Sequence, residues 1–211
     1  MNFRDLGDKL TGRSASNIRL MEPADLDEVL RMIRLHDSDD YKAAKQSFDK
    51  SRFDLPLEVS AHVVIDDPKE RRPVGVCGYY VDDFEARGLY WLGWTYVNPF
   101  FRGRGYGGEL LEHVFGMLAN FRARKIYLTT SSLPKYASAV KFYERHGFVQ
   151  EGKLLDYYAD GDHQLVMGCR LDRRATRRAP LPRRSAVEPP APKRAPASKT
   201  PSADQDIVFE F

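Results

Sequence analysis

The sequence predicts an α/β (α+β) domain in which helices flank a mixed central β-sheet, and three observations carry that prediction. Apolar residues recur at strand period and at helical period in the order βααβββαβαββ. A strand-like run over 88–97 empties into Val97-Asn98-Pro99-Phe100-Phe101-Arg102-Gly103-Arg104-Gly105-Tyr106-Gly107-Gly108, a glycine-rich stretch that opens a helix. Two β-branched runs are separated by Asp66-Asp67-Pro68-Lys69-Glu70-Arg71-Arg72-Pro73, turn chemistry that suits an antiparallel pair.

Taken in order, residues 17–21 read as the first strand. A helix follows over 25–35, its apolar Leu26, Val29, Leu30 and Ile33 on one face, and a second short helix runs through 41–48. The runs 61–65 and 74–81 form the antiparallel pair, and 89–97 adds a third adjacent strand. Helix 105–120 places Leu110, Leu111, Val114, Phe115 and Leu118 at helical spacing. Strand 125–130, helix 135–146 and two final strands near 148–158 and 163–171 complete the pattern, and no internal repeat is present.

At 211 residues, with 42% hydrophobic and 30% charged side chains, the chain can bury one sizeable core. No apolar stretch approaches the roughly 18 residues that a membrane span needs. The start, Met1-Asn2-Phe3-Arg4-Asp5, does not read as a secretory leader, so a cytoplasmic location is expected by default. Cys77 and Cys169 lie in strand-like runs and read as reduced core thiols. Charge divides the chain. Residues 173–211 hold nine basic against four acidic residues, a net +5, while the rest holds 24 against 26, a net −2.

Seven of the 13 prolines also fall in 173–211, the composition of an extended, disordered tail. The expected organisation is therefore an N-terminal segment 1–16, a folded domain 17–172 and a basic proline-rich tail 173–211. Arg173-Arg174, Arg177-Arg178 and Arg183-Arg184 could touch nucleic acid or anionic lipid, but no aromatic residues interleave them, which favours a solubilising tail. The run Asp206-Ile207-Val208-Phe209-Glu210-Phe211 reads either as a short motif that docks a protein partner or as an unselected terminus.

The glycine loop carries chemistry. Amides at a helix N-terminus face outward and favour an anion, and Arg102 and Arg104 can add charge-assisted hydrogen bonds at its rim. Glycine lets a phosphate approach the backbone itself, so the loop predicts a diphosphate-bearing ligand. Gly103, Gly105 and Gly108 also satisfy GxGxxG, but the context is not that of a dinucleotide-binding unit. Asn98 to Phe101 intervene between strand and glycines, and the next strand ends in Thr129, Thr130, Ser131 and Ser132 with no carboxylate for a ribose.

Arg102-x-x-Gly105-x-Gly107 after Val97-x-Pro99 instead resembles the coenzyme A pyrophosphate loop of the GCN5-related N-acetyltransferases. Ala139-Val140-Lys141-Phe142-Tyr143-Glu144-Arg145-His146-Gly147-Phe148 is similar to that family's second coenzyme motif, in the family's order and spacing. The resemblance covers about residues 17–171 and implies the acyl-CoA N-acyltransferase fold, with acetyl-CoA as cosubstrate and no metal. It implies coenzyme contacts at Tyr96, Val97, Arg102, Gly103, Arg104, Gly105, Tyr106, Gly107, Gly108 and Phe142. By the same resemblance, backbone amides near 95–97 polarise the thioester, and Tyr143 protonates the departing thiolate.

The implied activity is acetyl transfer to a primary amine, a cationic small molecule or a protein amine, by direct attack in a ternary complex. Two departures stand out. Many relatives carry a glutamate near the position of Trp94 or Thr95, whereas 89–97 contains no carboxylate, and Tyr136 stands where an asparagine is common. The base is left open among Glu58, His62, Asp156, His163 and a water chain held by Thr95, Thr130 or Ser131. Asp37-Ser38-Asp39-Asp40, Asp82-Asp83-Phe84-Glu85 and Asp160-Gly161-Asp162 would wall the acceptor side, where acidic loops favour a cation but are also ordinary turn chemistry. A homodimer through the last strands is a further expectation. The rival function is a non-catalytic acyl-CoA-binding adaptor that recruits a partner through its tail.

Overall fold

The structure, a computed structural model, describes residues 17–48, 53–81, 87–172 and the single residue 181. Eight strands form one sheet in the order β1-β2-β3-β4-β6-β8-β7, with β5 paired to β3. They are β1 (Asn17–Leu20), β2 (Ser60–Asp66), β3 (Pro73–Tyr80), β4 (Leu89–Leu92), β5 (Tyr96–Val97), β6 (Lys125–Ser131), β7 (Val149–Ala159) and β8 (Asp162–Arg170). The helices are α1 (Leu26–His36), α2 (Ser38–Ser47), α3 (Tyr106–Asn120) and α4 (Ala137–Arg145). Only β4 and β6 run parallel; every other pairing is antiparallel. The mixed sheet flanked by helices is the expected fold class.

Side chains alternate across a strand, so β2 and β3 feed two cores, one on each face of the sheet. Ala61, Val63 and Ile65 join Leu110, Leu111, Val114, Phe115, Met117 and Leu118 of α3, with Val140, Phe142 and Tyr143 of α4 packed against them. Val64 and Val76 join Val29, Met32 and Ile33 of α1 and Ala44 of α2 on the other face. The two coenzyme-motif helices therefore occupy one face and the α1–α2 pair the other.

Two elements differ from the sequence expectation, and both shape the site. The second helix starts at Ser38 rather than at 41, because Asp37 is its cap and accepts the amides of Asp39 at 2.8 Å and Asp40 at 3.2 Å. The acidic stretch expected as a loop is thus the first turn of α2. The strand expected over 89–97 is interrupted at 93–95. Leu92 lies opposite Tyr79 and Tyr96 opposite Val76, so four steps along β4–β5 match three along β3, which is a bulge of one residue.

Candidate active site

Pro99 starts a 3-10 turn, Pro99–Phe101, capped by Asn98, whose Oδ1 accepts the Phe100 amide at 3.1 Å. The chain then turns through Gly103 (φ 76°) and Gly105 (φ 92°), a left-handed backbone that penalises any side chain, and Gly105 caps α3. The amides of Tyr106, Gly107 and Gly108 open that helix without an intrahelical partner. Gly107 and Gly108 have a different reason to lack a side chain: α4 lies against them. A Cβ would sit 3.4 Å from the Phe142 ring at 107 and 3.1 Å from His146 Nε2 at 108. The two motifs are in contact.

Both loop arginines are held at the rim. Arg102 donates from Nε to Val97 O at 3.3 Å, and its Nη2 lies 3.2 Å from His36 Nδ1. Arg104 stacks 4.7 Å over the Phe101 ring and donates to Phe100 O at 3.4 Å. Beneath them is a residue that sequence reading took only for turn chemistry. Asp67, 4% exposed, accepts the Tyr106 hydroxyl at 2.7 Å and the amides of Lys69 and Glu70 at 2.9 and 3.1 Å. Burial alone would raise its carboxyl, but these bonds and nearby Arg104 hold it below the usual carboxylate range.

The bulge opens the sheet. β4 pairs with β6 from Leu89 to Trp91, while β5 pairs only with β3, so β5 and the far half of β6 part from each other. Asn98 gives its N–H to Val74 O at 2.9 Å; because antiparallel ladder groups alternate sides, the Val97 N–H points away from β3 and into the opening. Thr95 in the bulge donates to Gly93 O at 3.1 Å and lies 3.4 Å from Cys77 Sγ. Its hydroxyl also lies beside that of Tyr143.

Tyr143 is positioned by the end of its own helix. Gly147 (φ 87°) closes α4, with Phe148 N–H on Tyr143 O at 3.1 Å and Gly147 N–H on Glu144 O at 3.0 Å. That closure drives Phe148, 1% exposed, into the core, where its ring meets Tyr143 at 5.5 Å and Phe115 at 6.1 Å. Phe142 borders Tyr143 at 5.3 Å. Burial of the Tyr143 hydroxyl, and then the neighbouring Cys77, push its pKa well above the ordinary value, with Thr95 opposing in part. Burial pushes the Cys77 thiol up to about 12.

On the α1–α2 face, Tyr96 donates its hydroxyl to Asp40 Oδ2 at 2.5 Å. Burial, and then this carboxylate, raise the Tyr96 pKa far above its usual value. His36 meets the rings of Tyr96 and Tyr136 edge-on at 5.3 and 6.0 Å, and Trp94 lies 6.1 Å from Tyr96. Burial and Arg102 lower the His36 pKa. Lys135 bridges to Asp37 at 2.7 Å and joins the α1–α2 elbow to the segment after β6.

The proposed bases scatter. Asp156 gives its backbone N–H to His163 Nδ1 at 2.9 Å within the β7–β8 hairpin, Ser131 binds Asp162 at 2.5 Å, and His62 packs against Phe48 beneath Gly78 and Gly93. Asp82-Asp83-Phe84-Glu85 lies outside the described residues, as do 1–16 and the tail apart from residue 181.

The profile of the Acetyltransferase (GNAT) family matches residues 29–148, which spans both motifs and the opening between them. The chain belongs to this family. It is an acetyltransferase of that family. It is similar to the spermine/spermidine N(1)-acetyltransferase of Bacillus subtilis, 29% identical over 136 residues that cover 56% of this chain and 87% of that protein. Among solved structures it resembles a GNAT-family protein of Desulfovibrio desulfuricans (TM-score 0.64, 24% identity, 74% of this chain and 99% of the other). It also resembles an aminoglycoside 6'-N-acetyltransferase complexed with coenzyme A (TM-score 0.58, 15% identity, 80% and 99%). The residues of this chain fit a coenzyme A diphosphate: the helix-opening amides of Tyr106, Gly107 and Gly108 follow two left-handed glycines and are flanked by two guanidinium groups.

Proposed function

We propose that the protein transfers an acetyl group from acetyl-CoA to a primary amine of a small cationic molecule, by direct attack in a ternary complex. The observation that carries the reading is the opening at β5, which has the motif helices on one face and the α1–α2 pair on the other. A coenzyme entering from the glycine loop leaves the opposite face to the acceptor. Acetyl-CoA supplies the activated acyl group.

In this reading Arg102, Gly103, Arg104, Gly105, Tyr106, Gly107 and Gly108 hold the diphosphate. Tyr96, Val97 and Phe142 border the thioester arm, and the Val97 N–H polarises its carbonyl. Tyr143 is the general acid: its raised pKa keeps the proton in place at neutral pH, ready for the departing sulfur. The one thiol beside it is a poor nucleophile. Cys77 is fully buried and its pKa is near 12, which supports direct attack over an acyl-cysteine route.

The small-amine reading is supported by the Bacillus subtilis relative, a spermine/spermidine acetyltransferase by name. Thermal unfolding with acetyl-CoA, CoA, NAD and no ligand tests the coenzyme assignment. A ligand at 100 times its dissociation constant stabilises by about 2.7 kcal/mol. A shift with acetyl-CoA and CoA but not with NAD is expected, followed by CoA release when an amine is added. Coenzyme binding without transfer to any amine would favour the adaptor instead.

A further inference from the structure

We infer that Asp40, held against the cleft by Tyr96, recognises a second, non-reacting ammonium group of the acceptor, and so selects diamines and polyamines over monoamines. The inference rests on the acetyltransferase reading above and deepens it.

The three carboxylates of the α1–α2 elbow are not equivalent. Asp37 is occupied: it caps α2 and pairs with Lys135 at 2.7 Å, which with its cap bonds holds its pKa down to about 2. Asp39 points outward, its side chain 84% exposed, and pairs with Lys42 at 2.9 Å. Asp40 is half-buried, and among the described residues no cationic side chain pairs with it. Its side-chain donor is the neutral hydroxyl of Tyr96, which stands on the strand beside the opening. A carboxylate is thus fixed on the α1–α2 side with no cationic side chain ion-paired to it among the described residues.

The surroundings suit an alkylammonium. The rings of Trp94, Tyr96 and Tyr136 supply apolar and quadrupolar walls for a carbon chain and its charge. The neighbouring pair shows the same chemistry already at work, with the Lys135 ammonium on Asp37 and 5.0 Å over the Tyr136 ring. The charge Asp40 binds is not that of the reacting nitrogen. Attack needs a neutral amine, and an adjacent carboxylate stabilises the protonated form. One molecule that satisfies both demands carries two amines, one neutral at the thioester and one charged at Asp40.

The test compares kcat/KM for spermidine and n-butylamine at saturating acetyl-CoA in the wild type, Asp40→Asn and Asp39→Asn. A hydrogen bond to a charged group corresponds to a change of about 10- to 100-fold. The spermidine-to-butylamine ratio is expected to fall by that amount in Asp40→Asn, through KM for spermidine. In Asp39→Asn, which removes the same formal charge one residue away, the ratio is expected to stay within about twofold. A wild-type measurement stands beside the variants: raising salt from about 0.05 M to about 0.5 M raises KM for spermidine more than for butylamine, because counter-ions screen the pair. An unchanged ratio in Asp40→Asn, or a wild type indifferent to the second charge, overturns the inference and leaves the acetyltransferase reading intact. A wild type that binds acetyl-CoA but transfers to neither amine overturns both.

Discussion

Replacing Tyr143 by Phe removes one oxygen and leaves the packing in place, because the ring contacts at 5.3 Å to Phe142 and 5.5 Å to Phe148 involve atoms that both residues share. The neighbouring Thr95 hydroxyl keeps its bond to Gly93 O at 3.1 Å. The stability cost therefore falls in the range of one neutral hydrogen bond, about 0.5–1.5 kcal/mol. For a domain of this size that lowers Tm by only a few degrees, at roughly 2–4 °C per kcal/mol. The kinetic effect is much larger if Tyr143 protonates the leaving sulfur: general acid catalysis contributes about 10²- to 10⁴-fold in kcat, roughly 2.7–5.4 kcal/mol. The assay is CoA release with a thiol-reactive chromophore, read beside the Tm shift that acetyl-CoA produces. The wild-type pH profile adds a sign. A general acid works protonated, and the Tyr143 pKa lies above the ordinary tyrosine value, so its loss from the profile comes only above about pH 10. Stability follows the same direction: the neutral phenol's contribution is complete below pH 10 and lost as pH rises past the raised value. A Phe variant that keeps kcat within about threefold, with its acetyl-CoA shift intact, would refute the general-acid role.

Three further predictions concern the scaffold. In Asp67→Asn the loss of charge-assisted bonds to Tyr106 and to two amides is expected to lower stability by about 1–3 kcal/mol and to weaken CoA binding. Because the Asp67 pKa is lowered in the fold, that difference is present above about pH 4 and is lost as pH falls through the folded value; urea unfolding of both forms at a series of pH values from about 7 downwards reads it. Gly78→Ala would place a Cβ 2.2 Å from His62 Cδ2 on the paired strand, and calorimetry should show a loss of about 1–3 kcal/mol from overpacking. Ending the chain after Asp172 is expected to leave Tm and CoA affinity unchanged by thermal shift, since β8 closes at Arg170; a clear loss of either would show that the tail contributes to the domain.

Much of the fold was legible because it is written in local periodicity. The order of strands and helices follows from residues within a few positions of one another, and so do the glycine turn at 103–105 and the Gly147-Phe148 helix end. Boundaries at caps were less legible. Asp37 starts α2 through its side chain, which apolar spacing does not register. The bulge at 93–95 was hidden for a similar reason: one extra residue in a strand alters register against β3, and register is a relation between two segments.

By itself, the sequence determined the glycine turn, the helix that carries Tyr143 and their order along the chain, since each depends on residue types at short, fixed spacing. Tertiary structure decided what stands across from what. Asp67 lies beneath Tyr106, 39 residues away, and Asp40 meets Tyr96 across 56 residues. Thr95 meets Tyr143 only because the bulge and α4 converge on the same opening. No window along the chain contains such pairs. They exist because burying apolar faces on both sides of one twisted sheet brings distant polar groups together out of water, where each needs a partner.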